Sequence, residues 1–232
     1  DVVFVVSAYL SAYNARAFGV KDYIAQLMFN SPPGLSDAMD LAKMLAVMDM
    51  VEPLQRDDFR VWKQTRIGLL SHPLDPDAAR GHLAAATYLQ MAIKPQIYHI
   101  VGHTEAHHAA TADDIIEASR IVRRSIENAM RGAPDMTSDK AITKRRKELV
   151  KDATLLLEAI SALAGPKAGD PLTDAATLTR AVTSGLMDAP QLRNNKFGRG
   201  QVRTSIVNGA SVAVDHKGKP IPESKRIAQL TV

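Results

Sequence analysis

Residues 22–51, DYIAQLMFNSPPGLSDAMDLAKMLAVMDMV, contain one complete unit of alternating secondary structure. The apolar stretch at residues 22–29 predicts a buried strand, and the Pro- and Gly-containing residues 30–34 predict a loop. Ser36 is a typical N-cap residue and predicts that a helix rich in Met and Leu follows it to about Val51. A strand, a loop and a helix in this order form the repeating unit of a parallel sheet.

The same order recurs along the first half of the chain. Residues 59–70 and 96–101 contain apolar stretches of strand character, and residues 77–93 predict the helix between them. The run Val-Val-Phe-Val-Val at residues 2–6 predicts an earlier strand, followed by a helix at residues 11–18. Four such strands predict an α/β fold whose parallel sheet is covered by helices on both faces. Because the chain begins inside a predicted core strand, we also expect it to be part of a longer protein.

The second half of the chain is predominantly helical in its patterning. Its sequence predicts two long helices, a short helix and a small hairpin, at residues 111–131, 138–163, 174–184 and 202–214. The segment Gly132-Ala133-Pro134 stops the first of these helices. We therefore predict βα units in residues 1–132 and a helical extension with a terminal hairpin in residues 133–232.

Composition excludes several classes of function. The 232 residues carry 29 Lys and Arg against 25 Asp and Glu, a net charge of +4. There is no Cys, which excludes disulfides, thiolate nucleophiles and Cys-ligated metal sites and fits a cytoplasmic location. No apolar stretch is long enough for a transmembrane helix, so no membrane partner is expected. Basic and acidic residues alternate in the helical half, which has no aromatic residue between Tyr98 and Phe197, so no nucleic-acid partner is expected.

Four of the seven histidines surround one glutamate in residues 99–108, HIVGHTEAHH. This segment follows a predicted strand, and ligands of α/β proteins collect at the carboxyl ends of parallel strands. Three interpretations stay open: a metal site, histidines that only satisfy local hydrogen bonds, and a loop that binds a cofactor or substrate. The spacing H-x-E-x-H-H differs from the H-E-x-x-H of zinc proteases.

Two further polar residues are predicted near strand ends. Arg66 could clamp a substrate carboxylate with its guanidinium, or it could form a structural ion pair. Asn30 could contact the substrate, or it could only close an Asx-turn. The sequence contains no Walker A loop, no G-x-G-x-x-G and no G-x-S-x-G.

From Ile97 onward the chain resembles the large subunit of adenosylcobalamin-dependent glutamate mutase. The resemblance is carried by residues 101–111, where Glu105-Ala106 precedes the helix-capping Thr111, and by SGLMDAP at residues 184–190, which is close to a G-x-M-D-x-P turn. A second resemblance is to the alpha subunit of lysine and ornithine aminomutases, whose T-E-A-x-H run is similar to Thr104-Glu105-Ala106-His107-His108.

The resemblance implies a (β/α)₈ TIM barrel of which this chain is the C-terminal half. It implies an isomerase that rearranges an amino acid or related carboxylic acid by radical chemistry, with adenosylcobalamin as cofactor. Glu105 would contact the adenosyl ribose, with His103, Thr104 and His108 beside it, and His103 stands where the family has a Lys. The family's substrate-binding arginines lie mostly in the first half of the barrel, so the resemblance does not give the identity of the substrate. Arg66 and Asn30 are expected to bind the small-molecule substrate because of their places near strand ends.

The cobalamin-binding D-x-H-x-x-G motif is absent from the sequence. The resemblance therefore implies a hetero-oligomer with a small cobalamin-binding subunit or domain, and a missing N-terminal barrel half or partner chain.

The sequence leaves three alternatives open. An aminomutase alpha subunit would bind pyridoxal phosphate as well as adenosylcobalamin, and His108 would then matter. A metal-dependent barrel hydrolase or lyase would use His103, Glu105 and His107. A non-catalytic assembly subunit would use the basic helices as its docking face.

Overall fold

The computed structural model describes residues 1–230, which form a mixed α/β structure. The helices are α1 Val2–Ala17, α2 Asp37–Val51, α3 Pro76–Gln90, α4 Ala112–Met130, α5 Lys140–Ser161, α6 Ala175–Thr183 and α7 Glu223–Ala228. The strands are β1 Asp22–Phe29, β2 Arg60–Ile67, β3 Ile97–Tyr98, β4 Arg203–Val207 and β5 Ala210–Val214.

A parallel sheet with the strand order β1-β2-β3 organises the first half of the chain. Asp22 pairs with Arg60 at one end of the β1–β2 ladder and Phe29 with Ile67 at the other, and Gln64 pairs with Ile97. The predicted parallel α/β pattern is thus confirmed. The described residues form three parallel strands and no closed barrel.

The predicted strand at residues 2–6 is wrong, because these residues are the first turns of α1. Helix α1 continues without a Gly or Pro from Val2 to Ala17, and it buries Val5, Val6 and Ala12. These positions are spaced as on one helix face, since 12 lies seven residues after 5. A short apolar run fits a buried strand and a buried helix equally well, so its composition could not separate them. The expected count of four strands falls to three for this reason.

The expectation that helices cover both faces of the sheet is also wrong. Ala25, Leu27 and Phe29 of β1 are buried in a core that includes residues of α1, α2 and α5. The alternate residues Ile24 and Gln26 point to the opposite face and are exposed. Because side chains alternate along a strand, one whole face of the sheet lacks a covering layer in residues 1–230.

Residues on both sides of the expected boundary near residue 132 share one hydrophobic core. Leu149 and Leu156 of α5 are fully buried in the same cluster as Leu41 of α2 and Phe29 of β1. A second, smaller cluster joins α3, α4 and the end of β2 through Ile67, Leu83, Val101, Ala118 and Val122. The predicted hairpin is confirmed as the antiparallel pair β4–β5.

The longest helices are α4 with 19 residues and α5 with 22 residues. Helix α4 buries Ala118, Val122, Ser125 and Ala129, whose spacing marks a single face. Its other faces carry exposed charges such as Arg123 and Arg124. Within residues 1–230, no helix is long and apolar enough to cross a membrane.

Candidate functional site

The predicted site residues follow the carboxyl ends of the parallel strands. Asn30 directly follows β1, Arg66 is the penultimate residue of β2, and the histidine-rich segment at residues 99–108 follows β3. The Gly68 N–H donates to the Phe29 carbonyl at 2.8 Å, so the loops after β1 and β2 are in contact. Because the strands are parallel, all three segments lie at one edge of the sheet.

Asn30 adopts a left-handed backbone conformation, with φ of 54°, and begins the β1–α2 loop. Its backbone N–H donates to Asp40 Oδ2 at 2.5 Å. Its side-chain Oδ1 is buried and has no hydrogen-bond partner within residues 1–230. The structure therefore gives no support to an Asx-turn made by this oxygen, and the amide remains a candidate for ligand contact.

A buried ion pair on α2, which was not predicted from the sequence, holds this loop. Asp40 Oδ1 lies 2.9 Å from Lys43 Nζ, and both side chains are fully buried. Lys43 Nζ also donates to the Ser31 carbonyl at 2.6 Å and lies over the Phe4 ring. Burial raises the pKa of Asp40 and lowers that of Lys43, because each charge loses its hydration. A D-x-x-K spacing within an apolar helix was the available signal, since residues three apart share a helix face.

Glu105 occupies the first turn after the extended segment that continues β3. Its Oε1 accepts the Gly102 N–H at 2.6 Å, and its own N–H donates to the Gly102 carbonyl at 3.1 Å. The first bond holds the carboxylate against the backbone and the second closes the turn, while the side chain remains exposed. The neighbouring Thr104 hydroxyl is buried and unpartnered within the described residues. A carboxylate held this way can accept hydrogen bonds from a ligand diol.

His103 is buried between the β3–α4 loop and α4, with 4% of its surface exposed. Neither ring nitrogen has a hydrogen-bond partner within the described residues. Its Nε2 lies 3.6 Å from Glu117 Oε2, and Arg80 Nε donates to Glu117 Oε1 at 2.6 Å. Hydrogen bonding from Arg80 lowers the pKa of Glu117 and keeps that carboxylate charged beside the imidazole.

His72, which was not predicted as a site residue, is a second buried imidazole at the same edge. It is 7% exposed and packs edge-on against His82, with ring centroids 5.5 Å apart. Neither ring nitrogen has a hydrogen-bond partner within residues 1–230. The nearby Val101 backbone acts to raise the pKa of the ring, but this effect is outweighed. Burial, reinforced by His82, lowers the pKa of His72. Its only sequence signal was its place in the loop after β2.

His107 and His108 are exposed, and His108 contacts the cap of α4. Their Nδ1 atoms lie 3.1 Å apart, and His108 Nε2 lies 3.1 Å from Asp114 Oδ2. Asp114 forms a capping box with Thr111, and hydrogen bonds from Thr111 lower the pKa of Asp114 to about 2. The predicted helix start at Thr111 is confirmed by this box.

The possible metal ligands of the histidine segment are not gathered around one point. Among residues 1–230, no three His, Asp or Glu side chains form a group that could hold a metal ion. The set His103, Glu105 and His107 therefore has no geometric support as a metal centre. A cavity of about 220 Å³ lies instead beside Glu105 and is lined mainly by small and apolar residues of the loop and α4, among them Ile100, Gly102, Ile115 and Ala118.

Arg66 lies near the end of β2 on the uncovered face of the sheet. Its Nε makes one long contact, 3.4 Å, with the Ile67 carbonyl. None of the ion pairs among residues 1–230 involves Arg66, so the interpretation as a structural ion pair has no support. The guanidinium is left available for an anionic group.

The SGLMDAP turn is held rigidly from two sides. Asp188 is buried and accepts the N–H groups of Gly200, Gln201 and Val202 at 2.6, 2.8 and 2.9 Å. Arg226 of α7 donates to the carbonyls of Gly185 and Leu186 at 3.0 and 2.9 Å. The turn also borders a cavity of about 840 Å³ between α1, α5 and the β4–β5 hairpin. The sequence marked the turn as notable, but only the fold shows which backbone groups it binds.

Comparisons with known proteins add no family. The chain matches no protein-family model, and it matches no curated protein. The function of the chain is therefore inferred from the geometry described above and from the motifs of its sequence.

Proposed function

We propose that this chain is part of the catalytic barrel of an adenosylcobalamin-dependent mutase, an isomerase of the glutamate mutase type. The observation that carries the proposal is the exposed carboxylate of Glu105, fixed at the carboxyl edge of a parallel sheet. This is the residue to which the sequence resemblance gives the contact with the adenosyl ribose. Arg66 and Asn30 lie at the same edge, as substrate-binding residues of such an enzyme should.

The surroundings of Glu105 fit a nucleoside-bearing cofactor. The Thr104 hydroxyl and both His103 ring nitrogens are buried and make no hydrogen bond within the described residues, although His103 Nε2 lies 3.6 Å from Glu117 Oε2. A bound polar group would supply the missing hydrogen bonds. The β2–α3 loop exposes Leu70 and Leu74 by 83% and 80%, which provides apolar surface for the corrin or its protein carrier. When bound, adenosylcobalamin would supply the radical chemistry, which the side chains themselves do not provide.

The chain's own residues would bind and orient the cofactor and the substrate and shield them from water. Glu105 would accept hydrogen bonds from the ribose hydroxyls, and His103 and Thr104 would orient the adenosyl group. His108 is tied to Asp114 in the helix cap, so its part would be to fix the loop. Arg66 would hold a substrate carboxylate with its paired donors, and Asn30 would offer its side-chain amide.

The uncovered sheet face supports the expected partners. A parallel sheet is normally buried on both faces, and Ile24 is 49% exposed on this one. We propose that an N-terminal barrel half or a partner chain pairs with the open edges of this sheet, so that this face becomes the interior of a barrel, and that a small cobalamin-binding subunit docks at the carboxyl edge. A cytoplasmic location belongs to the same proposal.

Binding of adenosylcobalamin by the full-length protein with its small cobalamin-binding subunit tests the proposal. Glu105→Gln keeps the shape of the side chain but removes its charge, so we expect affinity to fall about 10- to 100-fold, as for a lost charge-assisted hydrogen bond. Absorbance and calorimetric titrations measure this loss. The matched control is Glu127→Gln, an exposed glutamate on α4, which should bind as the wild type does. Absence of binding by the wild type, or equal binding by both variants, would overturn the proposal.

A further inference from the structure

The uncovered face of the sheet is arranged in layers. Parallel register places residues of β1 and β2 side by side, and every second pair points to this face. From the amino end to the carboxyl end, the pairs on this face are Asp22–Arg60, Ile24–Trp62, Gln26–Gln64 and Met28–Arg66. Ile97 of β3 joins the glutamine layer, because it pairs with Gln64.

His99 extends the last of these layers. Its N–H donates to the Thr65 carbonyl at 2.9 Å, which continues the β2–β3 ladder by one step. Tyr98 points to the helix side, where its hydroxyl lies 2.7 Å from Thr87 Oγ1. The exposed His99 therefore points to the uncovered face, next to Arg66.

The two arginines of this face differ in one respect. Arg60 forms an ion pair with Asp22 at 3.0 Å and lies over the Trp62 ring. Arg66 has no acidic partner within residues 1–230, and the layers next to it contain glutamines and a methionine instead. The charge of Arg60 at the amino end of this face is thus neutralised by Asp22. The charge of Arg66 has no counter-charge within residues 1–230, and it lies at the carboxyl end, where ligands of parallel sheets bind.

We propose that Arg66 and His99 together bind a carboxylate, and that Gln26 and Gln64 bind a second polar group of the same ligand. The guanidinium offers paired donors that match a carboxylate, and the imidazole adds a further polar contact. Successive layers are roughly 6.6 Å apart, twice the rise of a strand residue. The ligand is therefore a small carboxylic acid whose second hydrogen-bonding group lies several bonds from the first. This inference rests on the proposed function only in taking the ligand to be the substrate.

Titration calorimetry of the full-length protein with glutarate, glutaramide and inorganic phosphate tests this site without any cobalamin. Glutarate carries two carboxylates, and glutaramide has the same length without charge. We expect saturable binding of glutarate and binding of glutaramide weaker by about tenfold or more, since the charge-assisted hydrogen bonds are lost. Phosphate, which lacks the second group, should bind more weakly than glutarate.

Variants on the same face make the test specific. Arg66→Gln should weaken glutarate binding about tenfold or more, and His99→Phe and Gln64→Leu should each weaken it about threefold or more. Arg60→Gln is the matched control, because it removes an equal charge from the same face of the same strand, and it should stay within about twofold of the wild type. Circular dichroism checks that each variant is folded.

The proposal is overturned if the wild type binds no glutarate, or if Arg60→Gln weakens binding as much as Arg66→Gln. Equal affinity for phosphate and glutarate, with no effect of Gln64→Leu, overturns the role of the glutamine layer. Because no cobalamin is present, failure here with normal adenosylcobalamin binding would reject this site alone. Glutarate binding without adenosylcobalamin binding would reject the mutase proposal alone.

Discussion

His72 is a buried imidazole that only the folded chain places beside other titratable side chains. His82 packs against its ring, and His103 and Glu105 lie near enough to influence its charge. Burial lowers the pKa of His72 and also that of His82, because a charged imidazole would lose its hydration there. The folded protein therefore holds both rings neutral under conditions in which the unfolded chain would protonate them.

This difference predicts a loss of stability in mild acid. An unfolded histidine titrates near pH 6.5, so the stabilisation is fully present above about pH 6.5 and is lost as the pH falls towards the lower folded pKa. Urea unfolding between pH 7.5 and 5 (roughly the window in which an imidazole titrates) measures it. We expect His72→Leu to lose less free energy of unfolding over this range than the wild type.

The exposed His216 provides the control for this measurement, since it lies outside the cluster. His216→Leu should retain the wild-type dependence on pH. Identical slopes for the wild type and His72→Leu would show that His72 does not contribute to the acid sensitivity.

Individual residues show which parts of the candidate site could be predicted from the sequence. Glu105 and Arg66 could be selected because each follows or ends a strand, and strand ends can be predicted from apolar runs. His72 could not, because its significance comes from contacts with His82 and with the β3–α4 loop, which are separate from it in sequence. Asp40 had a local signal in its D-x-x-K spacing with Lys43, but that spacing does not report that both side chains are buried. Burial without a partner is a property of the fold, and no local pattern reports it.

At the scale of secondary-structure elements, the junction of β1 and α2 was predicted well. Ser36 accepts the Met39 N–H as an N-cap should, and α2 ends at Val51 as expected. The prediction at α1 was wrong because residues 2–6 have a composition typical of a strand. The only sign that they belong to a helix is that the helical pattern of residues 7–17 continues back through them. Strand β3 is shorter than predicted, because Val101 leaves the ladder to join the α3–α4 core.

The same junction depends on the Asp40–Lys43 pair, which fixes the loop that follows β1. Lys43→Met would leave the buried Asp40 carboxylate without its counter-charge, and we expect the free energy of unfolding to fall by about 3–5 kcal/mol. The double variant Asp40→Leu/Lys43→Met should regain part of this loss, because no isolated charge remains. Urea unfolding of Asp40→Leu, Lys43→Met and the double variant measures the coupling free energy between the two side chains.

Exposed Lys21→Met serves as a control for the removal of a lysine, and it should change stability by no more than about 0.5 kcal/mol. If Lys43→Met were equally mild, the pair would not be what holds the β1–α2 loop.

At the scale of the whole molecule, the order of strands and helices predicted the parallel sheet, but not its extent. Local periodicity reports which segments are apolar, whereas closure of a sheet depends on how many strands pair and what lies at its edges. The described residues form a parallel sheet of three strands, whereas a closed TIM barrel has eight, and one face of this sheet has no covering layer within residues 1–230. The helical half, in contrast, was predicted closely, because long amphipathic helices have strong and redundant signals.

Arg226 links α7 to the turn after α6, and this contact gives a prediction for the molecule as a whole. Arg226 of α7 forms a buried ion pair with Glu223 and donates to the carbonyls of Gly185 and Leu186, which belong to the turn after α6. Helix α7 also packs on α5, whose other contacts include α1 and α2. Arg226→Met would leave Glu223 buried and unpaired and two carbonyls without their donor. We expect a loss of about 3–5 kcal/mol, measured by urea unfolding. Lys225→Met, an exposed change on the same helix, should be neutral within about 0.5 kcal/mol.

Limited proteolysis shows where the structure is weakened. Cleavage of Arg226→Met should begin in residues 184–200 if Arg226 anchors the turn, whereas cleavage spread evenly along the chain would show a general loss of stability instead.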